Sequence, residues 1–196
     1  GLGDVYKRQI VFKVALLCQL LLFAVLMLRL HLGHGLGWRE AAWSGLFHAA
    51  SSFNNAGFST HADGLVRYAG DSLVLVPIMA AIVIGGIGFP VLHDLRHRWR
   101  DPRHWSLHTK LTLTGSLILL IGGFLAITAL EWNNARTFAP LSLFDKLVNG
   151  MFMSVASRTA GFNTVDIGAL TPETWAVHYI LMFIGGGSGG TAGGVK

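Results

Sequence analysis

One short loop occurs twice in this chain, each time between long apolar segments. Ala56-Gly57-Phe58-Ser59-Thr60 returns in the second half as Ala160-Gly161-Phe162-Asn163-Thr164. Small residues precede both copies, Ala49-Ala50-Ser51-Ser52 and Ser154-Val155-Ala156-Ser157. Irregular backbone at membrane depth survives only where protein covers it or where it lines a water-filled path. A Gly-centred loop, duplicated in that setting, predicts backbone groups that face an ion path.

Composition supports a membrane setting. Of 196 residues, 52% are hydrophobic and 13% charged, where a soluble domain carries about a quarter charged. The 25 glycines would suggest loops in a soluble protein, but membrane helices use Gly for close packing. The net charge of +5 does not require nucleic acid, because basic residues mark the cytoplasmic loops of membrane proteins. Cys18 is the single cysteine, so no disulfide can form within the chain and the redox compartment is unreadable.

A span needs about 20 apolar residues. Four segments reach that length, near residues 10–30, 72–92, 111–130 and from 175 onward to 196. Two shorter apolar stretches, 38–53 and 143–157, suit re-entrant half-helices. The order is span, half-helix, Gly loop, span, and then the same again. We therefore expect an all-α membrane protein of two tandem repeats, each a membrane helix, a re-entrant pore helix with its loop, and a second membrane helix. The repeats cover residues 10–98 and 111–196, joined by a basic loop at 99–110. Residues 1–9 are polar and aperiodic and are expected to be a non-native leader. The abrupt ending suggests an internal fragment.

Loop charges set the orientation. Between the second and third spans, Arg96, Arg98, Arg100, Arg103 and Lys110 outnumber Asp94 and Asp101, while the other connections are balanced. The positive-inside rule puts loop 93–110 in the cytoplasm, so the half-helices and their loops dip in from outside. The Arg cluster is read as a topology determinant rather than a nucleic-acid patch.

A dehydrated cation needs oxygens in place of its water shell, and extended backbone carbonyls can supply them. Gly57 and Gly161 allow conformations closed to other residues. Neither loop holds an acid, so a carboxylate ring is not the expected selectivity device. The half-helices aim their partly negative C-terminal ends at the loops, which favours a cation. Phe58 and Phe162 are expected to pack the loops against neighbouring helices. Asn54 and Asn55 either line the path or satisfy backbone groups behind it. Arg158 is expected to bond loop or helix-end carbonyls, since a cation in the path would repel the substrate.

The fourth span holds Gly185-Gly186-Gly187-Ser188-Gly189-Gly190-Thr191-Ala192-Gly193-Gly194. Each Gly costs about 1 kcal/mol in a helix relative to Ala, so regular helix is not expected there, and a flexible insert below a filter is a natural gate. Gly85-Gly86-Ile87-Gly88, at the matching place in the second span, predicts a milder packing or kink site.

Ser52-Phe53-Asn54-Asn55-Ala56-Gly57-Phe58-Ser59 resembles the second-repeat filter of the Trk/Ktr/HKT superfamily of potassium transporters. Ser157-Arg158-Thr159-Ala160-Gly161-Phe162-Asn163-Thr164-Val165-Asp166 resembles the third-repeat filter of its bacterial Ktr and Trk members, and residues 185–196 the gating loop of that repeat. The resemblance implies four repeats around one pore in a bacterial plasma membrane, of which this chain carries the second and third. The other two filters, and the last-span basic residue that faces the gate, then lie outside it. It implies filter residues Asn55, Ala56, Gly57 and Phe58, and Thr159, Ala160, Gly161 and Phe162. Carbonyls of Asn55, Ala56, Thr159 and Ala160 would hold potassium, the substrate, with no cofactor in this chain. It also implies a homodimer of full-length subunits on a cytosolic ring of nucleotide-binding regulatory subunits. Members with Ser at a filter Gly position favour sodium, so a sodium or unselective cation transporter of the same fold is the alternative. A distant alternative, and the one enzyme reading, is an intramembrane serine protease. Ser188 would be its nucleophile, and it would need His178 or His48 as base.

Overall fold

The structure is a computed structural model that describes residues 2–195, with side chains from residue 9 onward. Gly1, and the side chains of residues 1–8 in the expected leader, lie outside the described residues.

Among the described residues seven α-helices form: α1 Leu2–His34, α2 Trp38–Phe53, α3 Ser72–Ile87, α4 Phe89–Arg98, α5 Leu107–Glu131, α6 Leu143–Ser157 and α7 Pro172–Phe183. Polar residues stop fraying at the starts. Asp71, Ser106, Ser142 and Thr171 each accept a hydrogen bond from a backbone N–H in the first turn of α3, α5, α6 and α7. Pro172 opens α7, where a missing N–H costs nothing.

α1 and α5 are long and apolar enough to cross a membrane. Their outer faces show Leu17, Leu21, Ile118 and Leu125 to the surroundings, as lipid-facing helices do. The short helices α2 and α6 bury their C-terminal halves, which lead into the repeated loops. α1 packs on α2 and α3, α5 packs on α6 and α7, and α3 against α6 joins the halves. One cluster joins Leu26 of α1, Leu75 and Ile78 of α3, Phe152 of α6, and Ala160 and Phe162 of the second loop, and a second joins Ile127 of α5, Met153 of α6 and Leu181 of α7.

Two spans differ from expectation. The second does not continue to residue 92. α3 stops at Ile87, and the chain turns by 99° into α4. Gly88 takes φ 93, open to Gly alone, and Pro90 then suits the first turn of a new helix. The fourth span is helical only to Phe183; its Gly-rich remainder is irregular.

The ends of the two halves are tied differently. In the first, Asp71 accepts from Arg29 Nε at 2.9 Å and pairs with His34 Nε2 at 2.6 Å. In the second, the fully buried Glu131 accepts from Asn134, Thr137, Thr174 and both the N–H and the hydroxyl of Thr171. At the opposite end Asp94 accepts from Ser106 and Thr109, fastening α4 to the start of α5.

Candidate functional site

α2 and α6 each end directly in a copy of the repeated loop, and the two copies share one backbone pattern. Asn55 (φ 50) and Thr159 (φ 74) are the non-Gly residues with left-handed backbone among the described residues. Gly57 (φ 71) and Gly161 (φ 81) sit two positions on. A left-handed L-residue costs about 1–2 kcal/mol, and a β-branched Thr pays for it most heavily. Such strain lasts only where the surroundings impose it. Ala56 N–H donates to Ser51 O at 2.8 Å, and Ala160 and Gly161 both donate to Ala156 O. Among the described residues, the carbonyls of Asn55, Ala56, Gly57, Thr159, Ala160, Gly161 and Phe162 accept no hydrogen bond. Phe58 O is engaged by the Ser51 hydroxyl at 2.7 Å.

The loops touch. A Cβ on Gly57 would stand 2.0 Å from Ala160 O and 3.0 Å from Gly161 Cα, so only glycine lets the backbones approach this closely. Phe162 is 5% exposed, its ring tilted beside that of His48 on α2. Phe58 is 69% exposed, which corrects the expectation that both rings pack. Phe162 belongs to the core cluster with Leu26, Leu75 and Phe152, and Phe58 does not.

The Gly-rich segment runs beneath both loops. It lies against the end of α3: Gly187 N–H donates to Gly86 O at 2.8 Å and Thr191 N–H to Gly85 O at 3.0 Å. It then reaches the first loop through Thr191, whose hydroxyl donates to Phe53 O at 2.9 Å and accepts from Asn55 Nδ2 at 2.6 Å. It reaches the second through Gly193 N–H, which donates to Thr159 Oγ1 at 3.0 Å. Arg158 Nη2 donates to Gly185 O at 2.9 Å, a loop carbonyl of the kind expected for it. Asn54 turns back to Ala50 O. Several glycines are required by contact: a Cβ on Gly185 would overlap Gly193 O, and one on Gly187 would overlap Ile87 O. Between segment, loops and α3 lies a cavity of about 20 Å³ lined by Asn55, Arg158, Gly86, Gly186 and Ala192, among others. Asn55 Oδ1 and Arg158 Nε are buried with no partner among the described residues.

The catalytic alternative finds no support. Ser188 is exposed, while His178 is turned to Thr174 O and His48 to Ser44 O and the Ser59 hydroxyl. Among the described residues no group of three or more His, Cys, Asp or Glu could hold a metal ion. Sequence reasoning missed the Thr191–Asn55 link, the docking role of Gly85 and Gly86, and the Glu131 cluster. Only the last left a trace, an acid at the end of an apolar span.

A family model described as "TrkH: Cation transport protein" matches residues 8–196. The chain is 44% identical to the Ktr system potassium uptake protein B of Bacillus subtilis, over 89% of this chain and 39% of that protein. It is 38% identical to the potassium/sodium uptake protein NtpJ of Enterococcus hirae, over 82% of this chain and 35% of the other. The crystal structure of the potassium transporter TrkH from Vibrio parahaemolyticus superposes with a TM-score of 0.71 at 19% identity, over 97% of this chain and 38% of that one. The chain thus spans well under half the length of these relatives, and the structural likeness carries the fold alone. With the matching family model and the curated relatives beside it, the chain belongs to the TrkH family of cation transport proteins.

Proposed function

We propose that this chain forms part of a potassium uptake pathway through a plasma membrane. In this reading the carbonyls of Asn55, Ala56, Thr159 and Ala160 take the place of water around the ion, and residues 185–193 gate the path. The observation that carries it is the duplicated loop: two copies with the same left-handed pattern, in contact, with carbonyl oxygens that accept no hydrogen bond among the described residues. Potassium as cargo is favoured by the printed name of the Bacillus relative. The two repeats would be the second and third of four, with the pore loops entering from outside and loop 93–110 in the cytoplasm. A full-length homodimer on a nucleotide-binding regulatory ring completes the assembly that the resemblance implies.

The test is growth of a potassium-uptake-deficient bacterium on limiting potassium when it carries the full-length gene; failure to grow, with protein present in the membrane, sinks the reading. Gly161→Ser is expected to loosen potassium-over-sodium discrimination, and deletion of 185–193 to raise flux. A second reading, sodium or unselective cation uptake, is favoured by the potassium/sodium name of the Enterococcus relative. Equal competition by sodium in the same growth and uptake assays would select it.

A further inference from the structure

We propose that Thr191 is a selectivity-determining positioning residue: through it the Gly-rich segment controls the spacing of the filter oxygens as well as the flux. This rests on the filter and gate assignment above.

The strained positions single it out. The two non-Gly residues with left-handed backbone head the two loops, and both hand a side chain to the same segment. The Thr191 hydroxyl has one proton, and it goes to Phe53 O, the last carbonyl region of α2. The hydroxyl must therefore accept from Asn55, which fixes the orientation of that amide, with Nδ2 toward Thr191. Two positions further on, the N–H of Gly193 holds Thr159. A shift of this segment consequently pulls on the first residue of both loops, and their carbonyls lie in the same strained turns. Selectivity depends on the number and placement of those oxygens. Asn55 and Arg158 line a small cavity beside the joint, and Asn55 Oδ1 and Arg158 Nε have no hydrogen-bond partner among the described residues, so no such bond holds the joint on that side.

The experiment uses the full-length transporter, reconstituted in vesicles, with sodium competition against potassium uptake as the readout. A ratio taken in one preparation does not depend on how much protein inserts. Thr191→Val keeps the branched shape and removes both hydrogen bonds; Thr191→Ser keeps the hydroxyl. Thr191→Val is expected to lower the potassium preference about three- to tenfold, the net worth of one hydrogen bond, and Thr191→Ser to keep the parental preference. Parental preference in Thr191→Val, alongside a lowered preference in Gly161→Ser, overturns the coupling and leaves the filter assignment standing. Parental preference in both overturns the filter assignment, and the coupling with it. If Thr191→Val does not reach the membrane, Thr191→Ala, which also removes both hydroxyl hydrogen bonds, is judged by the same outcomes.

Discussion

The two repeated loops are nearly the same object, and the spans that follow them are not. Both loops carry a left-handed residue, then Ala, then a left-handed Gly, then Phe. After the first, α3 runs straight to Gly88 and turns sharply. After the second, α7 ends at Phe183 and the chain becomes the Gly-rich segment. The two spans answer each other: Gly85 and Gly86 offer carbonyls, and Gly187 and Thr191 donate to them. One repeat supplies the dock and the other the insert. The lesson is that duplication preserved the loop backbone, while divergence of the following span produced the Gly-rich segment and its seat.

Substitutions at equivalent glycines should break that likeness. The largest effect is expected for Gly57→Ala. Left-handed strain of about 1–2 kcal/mol adds to overpacking of about 1–3 kcal/mol, because the new Cβ meets Ala160 O at 2.0 Å. Gly161→Ala meets only Gly57 Cα at 3.7 Å and should cost the strain alone. Thermal melting of the full-length protein in detergent checks the order, and equal losses would refute the loop contact.

Within the dock the same logic separates neighbours. Gly85→Ala should destabilise by about 1–3 kcal/mol, since its Cβ would stand 2.0 Å from Phe53 O. Gly86→Ala, whose nearest neighbour is Ala192 Cβ at 3.7 Å, should be neutral or stabilising by up to ~1 kcal/mol through helix propensity. The same melting assay ranks the pair.

The tied ends sharpen the comparison. Glu131→Gln puts an amide donor against groups that already donate, and should lower stability by about 1–3 kcal/mol. The smallest effect is at Asp71. Burial pushes its carboxyl up, but hydrogen bonds from His34 and Arg29 outweigh that and hold it below the usual carboxylate value. A depressed folded value means the stabilisation is present above about pH 4 and is lost as pH falls through the folded value. With Arg29 36% exposed, it is worth under about 1 kcal/mol. Melting measured at about pH 6 and about pH 3 should show this component vanish in Asp71→Asn.

Both half-helices, α2 and α6, have the limits read from apolar run length, because a stretch too short to span and bounded by polar turns has few alternatives. The long α1 and α5 were legible because an unbroken apolar run of about 20 residues reads as a span. The ends of α3 and α7 were less so. Gly85-Gly86-Ile87-Gly88 is apolar enough to continue a span, and the turn appears only because Gly88 takes a left-handed conformation and Pro90 opens a new helix there. Phe58 and Phe162 look alike in the chain, yet only one finds a seat.

Local chemistry in the sequence determined the membrane class, the repeat and the place of each loop, since hydropathy and glycine act over a few neighbouring residues. The tertiary structure alone decided that the loops touch through Gly57, that Gly85 and Gly86 seat the insert, and that Thr191 holds Asn55. Those contacts join residues far apart in the chain, and packing, not spacing, chooses which of them meet.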